Sequence, residues 1–217
     1  MSYGTAPAGP PPVPGEVRHP AGIVLAGGRS TRMGTSKAWL PFGPETMLQR
    51  VVRLLGEVVD PIVVVAADGQ DLPELPSGVR VTRDEREGRG PLEGLRTGLK
   101  ALPASSDAAY ATSCDVPLLV PDFVRQILRL AAGHEVAVME IDGFTHPLSA
   151  VYRLSTLPRI EELLAADRLR PLFLFESVRT RRVAPSEMSA DPELRTLRNL
   201  NTREDYARAL VEAGLAS

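Results

Sequence analysis

A chain of 217 residues with 43% hydrophobic content can fill one well-packed domain or at most two small ones. Its formal charge of -2 and pI near 6.0 give no basic footprint for a nucleic-acid backbone, and a single cysteine, Cys114, excludes an internal disulfide framework and a multi-cysteine zinc site. No apolar run approaches the roughly 20 residues needed to span a bilayer, and the N-terminus lacks a charged-then-apolar signal pattern, so a cytoplasmic protein with small anionic ligands is expected, without nucleic-acid or membrane partners.

Residues 1–20 carry Pro7, Pro10, Pro11, Pro12, Pro14 and Pro20 with several glycines, which predicts a disordered tail and a single folded domain over 21–217. The apolar run 21–25 reads as a buried first strand that ends at Gly27-Gly28. From Met47, apolar residues recur at Leu48, Val51, Val52, Leu55 and Val58 with helical spacing, and Pro44 suits the helix start. Residues 62–66, Ile-Val-Val-Val-Ala, read as a strand covered on both faces. The alternation continues with a strand at 79–82, a helix marked by Leu92, Leu95, Leu99 and Leu102, a strand at 108–113 and a helix over 123–131. Further strands are expected at 136–141, 148–152 and 178–184, with a helix at 157–164. A last helix opens at Thr202 as N-cap, with Asp205 at its third position and Tyr206, Ala209 and Leu210 behind. Alternating strands and helices imply an α/β fold with a mainly parallel sheet and right-handed crossovers, whose ligands bind at the carboxyl ends of the strands.

The most informative stretch is Leu25-Ala26-Gly27-Gly28-Arg29-Ser30-Thr31-Arg32-Met33-Gly34-Thr35-Ser36-Lys37. Glycines let a backbone approach a phosphate and present N–H donors, while Arg32 and Lys37 add charge for a triphosphate. Thr35 and Ser36 stand between Gly34 and Lys37, which excludes a Walker A loop, and the adjacent Gly27 and Gly28 do not match the dinucleotide fingerprint. Asp115, in Cys114-Asp115-Val116-Pro117, follows the strand at 108–113; on its own it reads equally well as a metal carboxylate or as a turn residue. Cys114 reads as a small buried neighbour, because no base lies close in sequence. Trp39 and Phe42 read as packing.

These residues resemble the Leu-Ala-Gly-Gly-x-Ser-x-Arg-Met-Gly-x-x-Lys signature of the nucleotidyltransferases that mature the molybdenum cofactor, in particular the guanylyltransferases. The related cytidylyltransferases carry Leu-Ala-Ala-Gly, so Gly27-Gly28 points to guanine. The resemblance implies a Rossmann-like three-layer α/β/α sandwich with a mainly parallel sheet, like that of nucleotide-diphospho-sugar transferases, with Leu25, Ala26, Gly27 and Gly28 around the nucleotide, Arg32 and Lys37 on its phosphates, and Asp115 holding magnesium. It also implies GTP and molybdopterin as substrates, transfer of GMP with release of pyrophosphate, and molybdoenzymes or cofactor-delivery proteins as the protein partners to consider. Gly90-Pro91-Leu92-Glu93-Gly94 is similar to the family's Gly-Pro-Leu-Ala-Gly, with Glu93 in place of the alanine. Asp84 falls at the family's guanine-contacting aspartate, although it lies within a run of charges that also reads as a solvated face. His146-Pro147-Leu148 and Asn199-Leu200-Asn201-Thr202 are similar to further family segments, which makes Asn199 and Asn201 binding candidates, and Arg168 and Arg170 are candidates for an anionic acceptor. Ala66-Ala67-Asp68 departs from the asparagine-containing turn of guanylyltransferases, which leaves a cytidylyltransferase, another phosphate-acceptor nucleotidyltransferase or a noncatalytic nucleotide-binding module as alternatives.

Overall fold

The structure, a computed structural model, describes residues 15–27, 36–84, 86 and 88–215. Strand β1 (Pro20–Leu25) opens the sheet, and a two-stranded hairpin of β2 (Pro41–Phe42) and β3 (Glu45–Thr46) precedes helix α1 (Met47–Gly56). Pro44 sits in the turn of that hairpin, not at the helix start expected from its type. The helix is opened by Thr46, whose Oγ1 accepts from the Gln49 amide at 3.3 Å while the Thr46 amide donates to Gln49 Oε1 at 2.8 Å. That reciprocal box satisfies two donors a proline could not.

Strands β4 (Ile62–Ala66) and β5 (Arg80–Arg83), helix α2 (Pro91–Ala101), strand β6 (Ala108–Ser113) and helix α3 (Pro121–Leu130) follow within a residue or two of the sequence expectation. Strands β7 (Val136–Ile141) and β8 (Phe144–Arg153) form a hairpin whose turn, Asp142-Gly143, holds φ of 50° and 80°, values that this pair of residues tolerates. Helix α4 (Leu157–Ala165), a short α5 (Pro171–Phe175), β9 (Thr180–Val183) and α6 (Arg203–Glu212) complete the chain. Thr202 caps α6 with Asp205 in the expected roles.

The seven-stranded sheet has the order β5-β4-β1-β6-β8-β7-β9, parallel except for β8, which runs antiparallel to β6 and β7. Alternate residues of the strands feed two cores. Val24, Val64 and Tyr110 pack with α1 and α3, while Ile23, Val63, Val65 and Ala111 pack with α2 and α4, which makes the three layers. Helix α2 lies close to the sheet because it carries glycine where it crosses β1: a Cβ at Gly98 would fall 2.7 Å from Ile23 Cγ2. A third, smaller cluster of Phe42, Met47, Leu118, Leu200 and Ala209 fastens α6 beside the β2–β3 hairpin.

The folded region reaches back to Gly15 and does not begin at Ala21. The amides of Arg18 and His19 each donate to the Asp107 carboxylate at 3.0 Å, Arg153 donates to the same group at 2.9 Å, and Val17 packs on the core. Composition conceals this segment because backbone N–H groups hold it, and these are independent of residue type. Residues 1–14 of the expected tail lie outside the described residues.

Candidate active site

The carboxyl ends of β1, β4 and β6 open onto a cavity of about 720 Å³, a volume suited to a nucleotide-sized ligand. Leu25, Ala26, Gly27 and Lys37 line it from the glycine-rich segment, and Ser113, Cys114 and Asp115 line it from the end of β6. Gly28 and Arg32 lie outside the described residues.

Both ends of the glycine-rich segment are pinned. The Ala26 and Gly27 amides donate to Val65 O at 2.8 and 3.2 Å, and Gly27 comes so near the end of β4 that a Cβ there would stand 3.0 Å from the Ala67 amide nitrogen. On the far side, Ser36 leads into a single 3-10 turn over Lys37–Trp39. Gln70 ties the two ends together: its Nε2 donates to Ala26 O at 3.0 Å and to Ser36 Oγ at 3.3 Å, while its Oε1 accepts from the Ala67 amide at 2.9 Å. The Ala66-Ala67-Asp68 departure thus contributes backbone to the site, with Gln70 supplying the amide side chain a little further on.

At the centre, Lys37 Nζ donates to Asp115 Oδ2 and to Asn201 Oδ1, both at 2.8 Å. The other carboxylate oxygen of Asp115 accepts from Ser113 Oγ at 2.5 Å. The two charged side chains are 16% and 14% exposed, so the pair is mostly shielded yet open to the cavity. Leu200 donates its amide to Asp115 O at 2.9 Å, and this bond carries the Asn199–Asn201 segment to the site. Asp191 and Thr196 brace that segment from behind: Asp191 accepts from the Arg195 and Thr196 amides, and Thr196 Oγ1 accepts from the Val120 amide at 3.0 Å. Burial, with the Asp115 charge adding to it and Lys37 opposing, pushes the Cys114 thiol up to about 12, which favours the protonated sulfur.

The opposite wall is built by Asp84, Gly88, Gly90, Pro91 and Gly94. The Asp84 amide donates to Ala66 O at 2.9 Å, placing its carboxylate beside the first turn of α2. Gly94 permits that approach, for a Cβ there would meet Leu25 Cδ1 at 3.1 Å and Asp84 Oδ1 at 3.7 Å. Leu148 reaches the cavity where the β7–β8 register shifts from Val138↔Ala150 to Met139↔His146.

Nine candidates from the sequence, Leu25, Ala26, Gly27, Lys37, Asp84, Gly94, Asp115, Asn199 and Asn201, therefore meet around one cavity. His146 lies beside Leu148 on β8 but not in the lining, and burial holds its imidazole below the ordinary 6.5. Arg168 and Arg170 are not in the lining, with Leu169 between them lying against Gly90 of the wall: Arg168 stacks over Phe173 at 4.0 Å and Arg170 precedes α5 as its N-cap. Trp39 is 43% exposed and donates Nε1 to Asp71 O, while Phe42 is fully buried. Ser113, Gln70 and Gly88 escaped the sequence reading. Only Ser113 left a signal, standing two residues ahead of Asp115.

For a metal, the cavity offers the Asp115 carboxylate at its centre and Asp84 on its wall, and no group of three or more His, Cys, Asp or Glu side chains converges among the described residues. That set fits a hard cation completed by phosphate oxygens and water, and does not fit a closed protein cage. No helix among the described residues is long and apolar enough to cross a membrane.

A mostly parallel sheet whose strand ends gather a glycine-rich segment, a lysine and an aspartate around such a cavity has the make-up of a nucleotide-binding enzyme, and the family it matches defines it as a nucleotidyltransferase. The MobA-like NTP transferase domain model matches residues 22–181, and the chain belongs to this family. It is 40% identical over 198 residues to a probable molybdenum cofactor guanylyltransferase of Mycobacterium avium, covering 89% of this chain and 95% of that one. A protein of the same description from Methanosarcina acetivorans is 37% identical over 207 residues, covering 88% and 90%. The crystal structure of molybdopterin-guanine dinucleotide biosynthesis protein A from Archaeoglobus fulgidus superposes with a TM-score of 0.73 at 19% identity, over 90% of this chain and all of that one, and so shares the fold.

Proposed function

We propose that this chain is a molybdenum cofactor guanylyltransferase, transferring GMP from GTP to the terminal phosphate of molybdopterin and releasing pyrophosphate. The observation that carries the reading is the junction of Lys37, Asp115 and Asn201 at the mouth of the glycine-rich segment. An acceptor phosphate oxygen attacks the α-phosphorus of GTP, the bond from that phosphorus to the bridging oxygen breaks, and pyrophosphate leaves with the electron pair. The attacking oxygen is already anionic at neutral pH, so no general base is needed.

What remains is positioning and charge. Lys37 is placed to exchange its present partners for phosphate oxygens, and Arg32, assigned from sequence alone, acts on the same phosphates. Asp115 would hold magnesium, which when bound neutralises charge on the phosphates. Ser113 fixes Asp115 Oδ1, while Oδ2 is held by Lys37, the partner that a cation would displace. Asp84 supports guanine as the base, because a carboxylate only accepts hydrogen bonds and guanine offers its ring N–H and amino group side by side. Asn199 and Asn201 face the acceptor, and the single cysteine supports a cytoplasmic setting.

The test is pyrophosphate release with GTP, CTP, ATP or UTP, each with magnesium and molybdopterin. Release with GTP alone, dependent on molybdopterin, is expected. Preference for CTP would replace the assignment with a cytidylyltransferase, and nucleotide binding without release would replace it with a binding module.

A further inference from the structure

Glu93 stands where the similar family segment carries alanine, and it is 2% exposed in the first turn of α2. A carboxylate this deep needs partners, and it has two guanidinium groups besides a helix N-terminus, which itself favours an anion. Arg96, one turn along the same helix, donates to Oε1 through Nη2 at 2.6 Å and Nε at 3.0 Å. Arg89 lies outside the helix and brings its Nε to 3.5 Å from Oε2. The same Arg89 donates Nη2 to Leu164 O at 2.6 Å, at the end of α4, and lies 3.5 Å from Asp167 Oδ1.

Arg89 is flanked by Gly88 and Gly90, which both line the cavity and hold φ of 80° and 76°. Between two residues without side chains, Arg89 is the side chain that anchors this turn among the described residues. The wall that includes Gly88, Gly90 and Pro91 therefore hangs from Glu93 on one side and from the end of α4 on the other. An alanine at position 93 would leave Arg89 only the side of α4, Leu164 O and Asp167, to hold to.

We propose that Glu93 is a positioning residue that, through Arg89, holds the Gly88–Gly90 turn against the nucleoside and so sets how tightly and how selectively the base is bound. This rests on the reading of the Asp84 wall as the base end of the site. Local ion pairing with Arg96 alone would stabilise α2 and leave nucleotide affinity untouched, which separates a positioning role from a structural one.

The experiment titrates GTP, ATP, CTP and UTP against the full chain and against Glu93→Ala, Glu93→Gln, Arg89→Ala and the double variant, alongside steady-state kinetics. Glu93→Ala and Arg89→Ala should each weaken GTP binding about tenfold, raise the GTP KM more than they lower kcat, and narrow the margin of GTP over the other three. Glu93→Gln should retain more affinity than the alanine variant, and the double variant should add little to either single change, since both act through one contact. GTP affinity within about twofold of the unsubstituted protein in both single variants, or losses that multiply in the double, overturns the proposal. A lowered melting temperature with affinities unchanged overturns it too. Where Glu93→Ala does not fold, Arg89→Ala decides the matter. If the unsubstituted protein prefers another nucleotide, the guanine assignment fails on its own, and the same titrations with the preferred nucleotide still decide the part of Glu93.

Discussion

Asp115→Asn separates the chemical part of this residue from its structural one. The Lys37 ammonium lies 2.8 Å from Asp115 Oδ2. At that distance an effective dielectric near 20 gives a gross attraction of about 6 kcal/mol, most of it offset by desolvation of the two charges. The amide that replaces the carboxylate can turn its oxygen to Lys37 and its nitrogen to Ser113 Oγ, and Lys37 keeps Asn201 Oδ1 and access to the open cavity. The net stability loss should therefore stay at about 1–2 kcal/mol, a fall of about 2–8 °C in Tm for a chain of this size. Catalysis should fare far worse. Losing the anionic ligand for a cation on the phosphates removes several kcal/mol of charge stabilisation, so the rate of GTP-dependent pyrophosphate release with molybdopterin should drop by about 10³, or about 4 kcal/mol. Circular dichroism melts and the release assay on one preparation compare the two losses. Activity above about a tenth of the unsubstituted rate would refute the role given to Asp115.

Ser113→Ala removes the hydrogen bond that holds Asp115 Oδ1, so the magnesium concentration for half-maximal rate should rise by about tenfold while Ser113→Thr restores it; an unchanged magnesium requirement refutes the tie. Cys114 should resist iodoacetamide at pH 8 in the folded protein and react on unfolding, because its thiol sits at about 12 instead of the ordinary 9.0; rapid alkylation of the native protein would contradict this. Burial alone would raise Asp107, but the amides of Arg18 and His19 together with Arg153 outweigh it and hold the carboxyl below the ordinary 3.8. Its tie to the N-terminal segment is thus complete above 3.8 and lost as pH falls through the lowered value. Asp107→Asn should accelerate amide exchange at Arg18 and His19 at neutral pH, and unchanged protection would show that the segment is held by something else.

The parts of the fold carried by runs of apolar side chains were legible. Strands β1, β4 and β6 are buried along their length, and α1 and α3 turn their apolar stripes inward, so composition and period coincide with burial. The β2–β3 hairpin and α5 were not, since two-residue strands and a five-residue helix are too short to show a period. The site followed the same division. Lys37 and Asp115 were legible because glycines, charge and a strand end stand together in sequence. Gln70, Ser113 and Arg89 act by contacts with backbone or with another side chain, and no local pattern marks an amide that bridges Ala26 to Ser36.

The bond between Lys37 and Asn201 spans 164 positions of the chain. During synthesis, every strand of the sheet emerges before the residue that closes this contact, and loops of that length form late because their closure entropy must be met first. A nascent chain that already displays its glycine-rich segment thus still lacks one partner of its central lysine. Nucleotide capture with full affinity becomes a property of the finished fold, and a ligand that binds there stabilises the docking of the last helix by mass action.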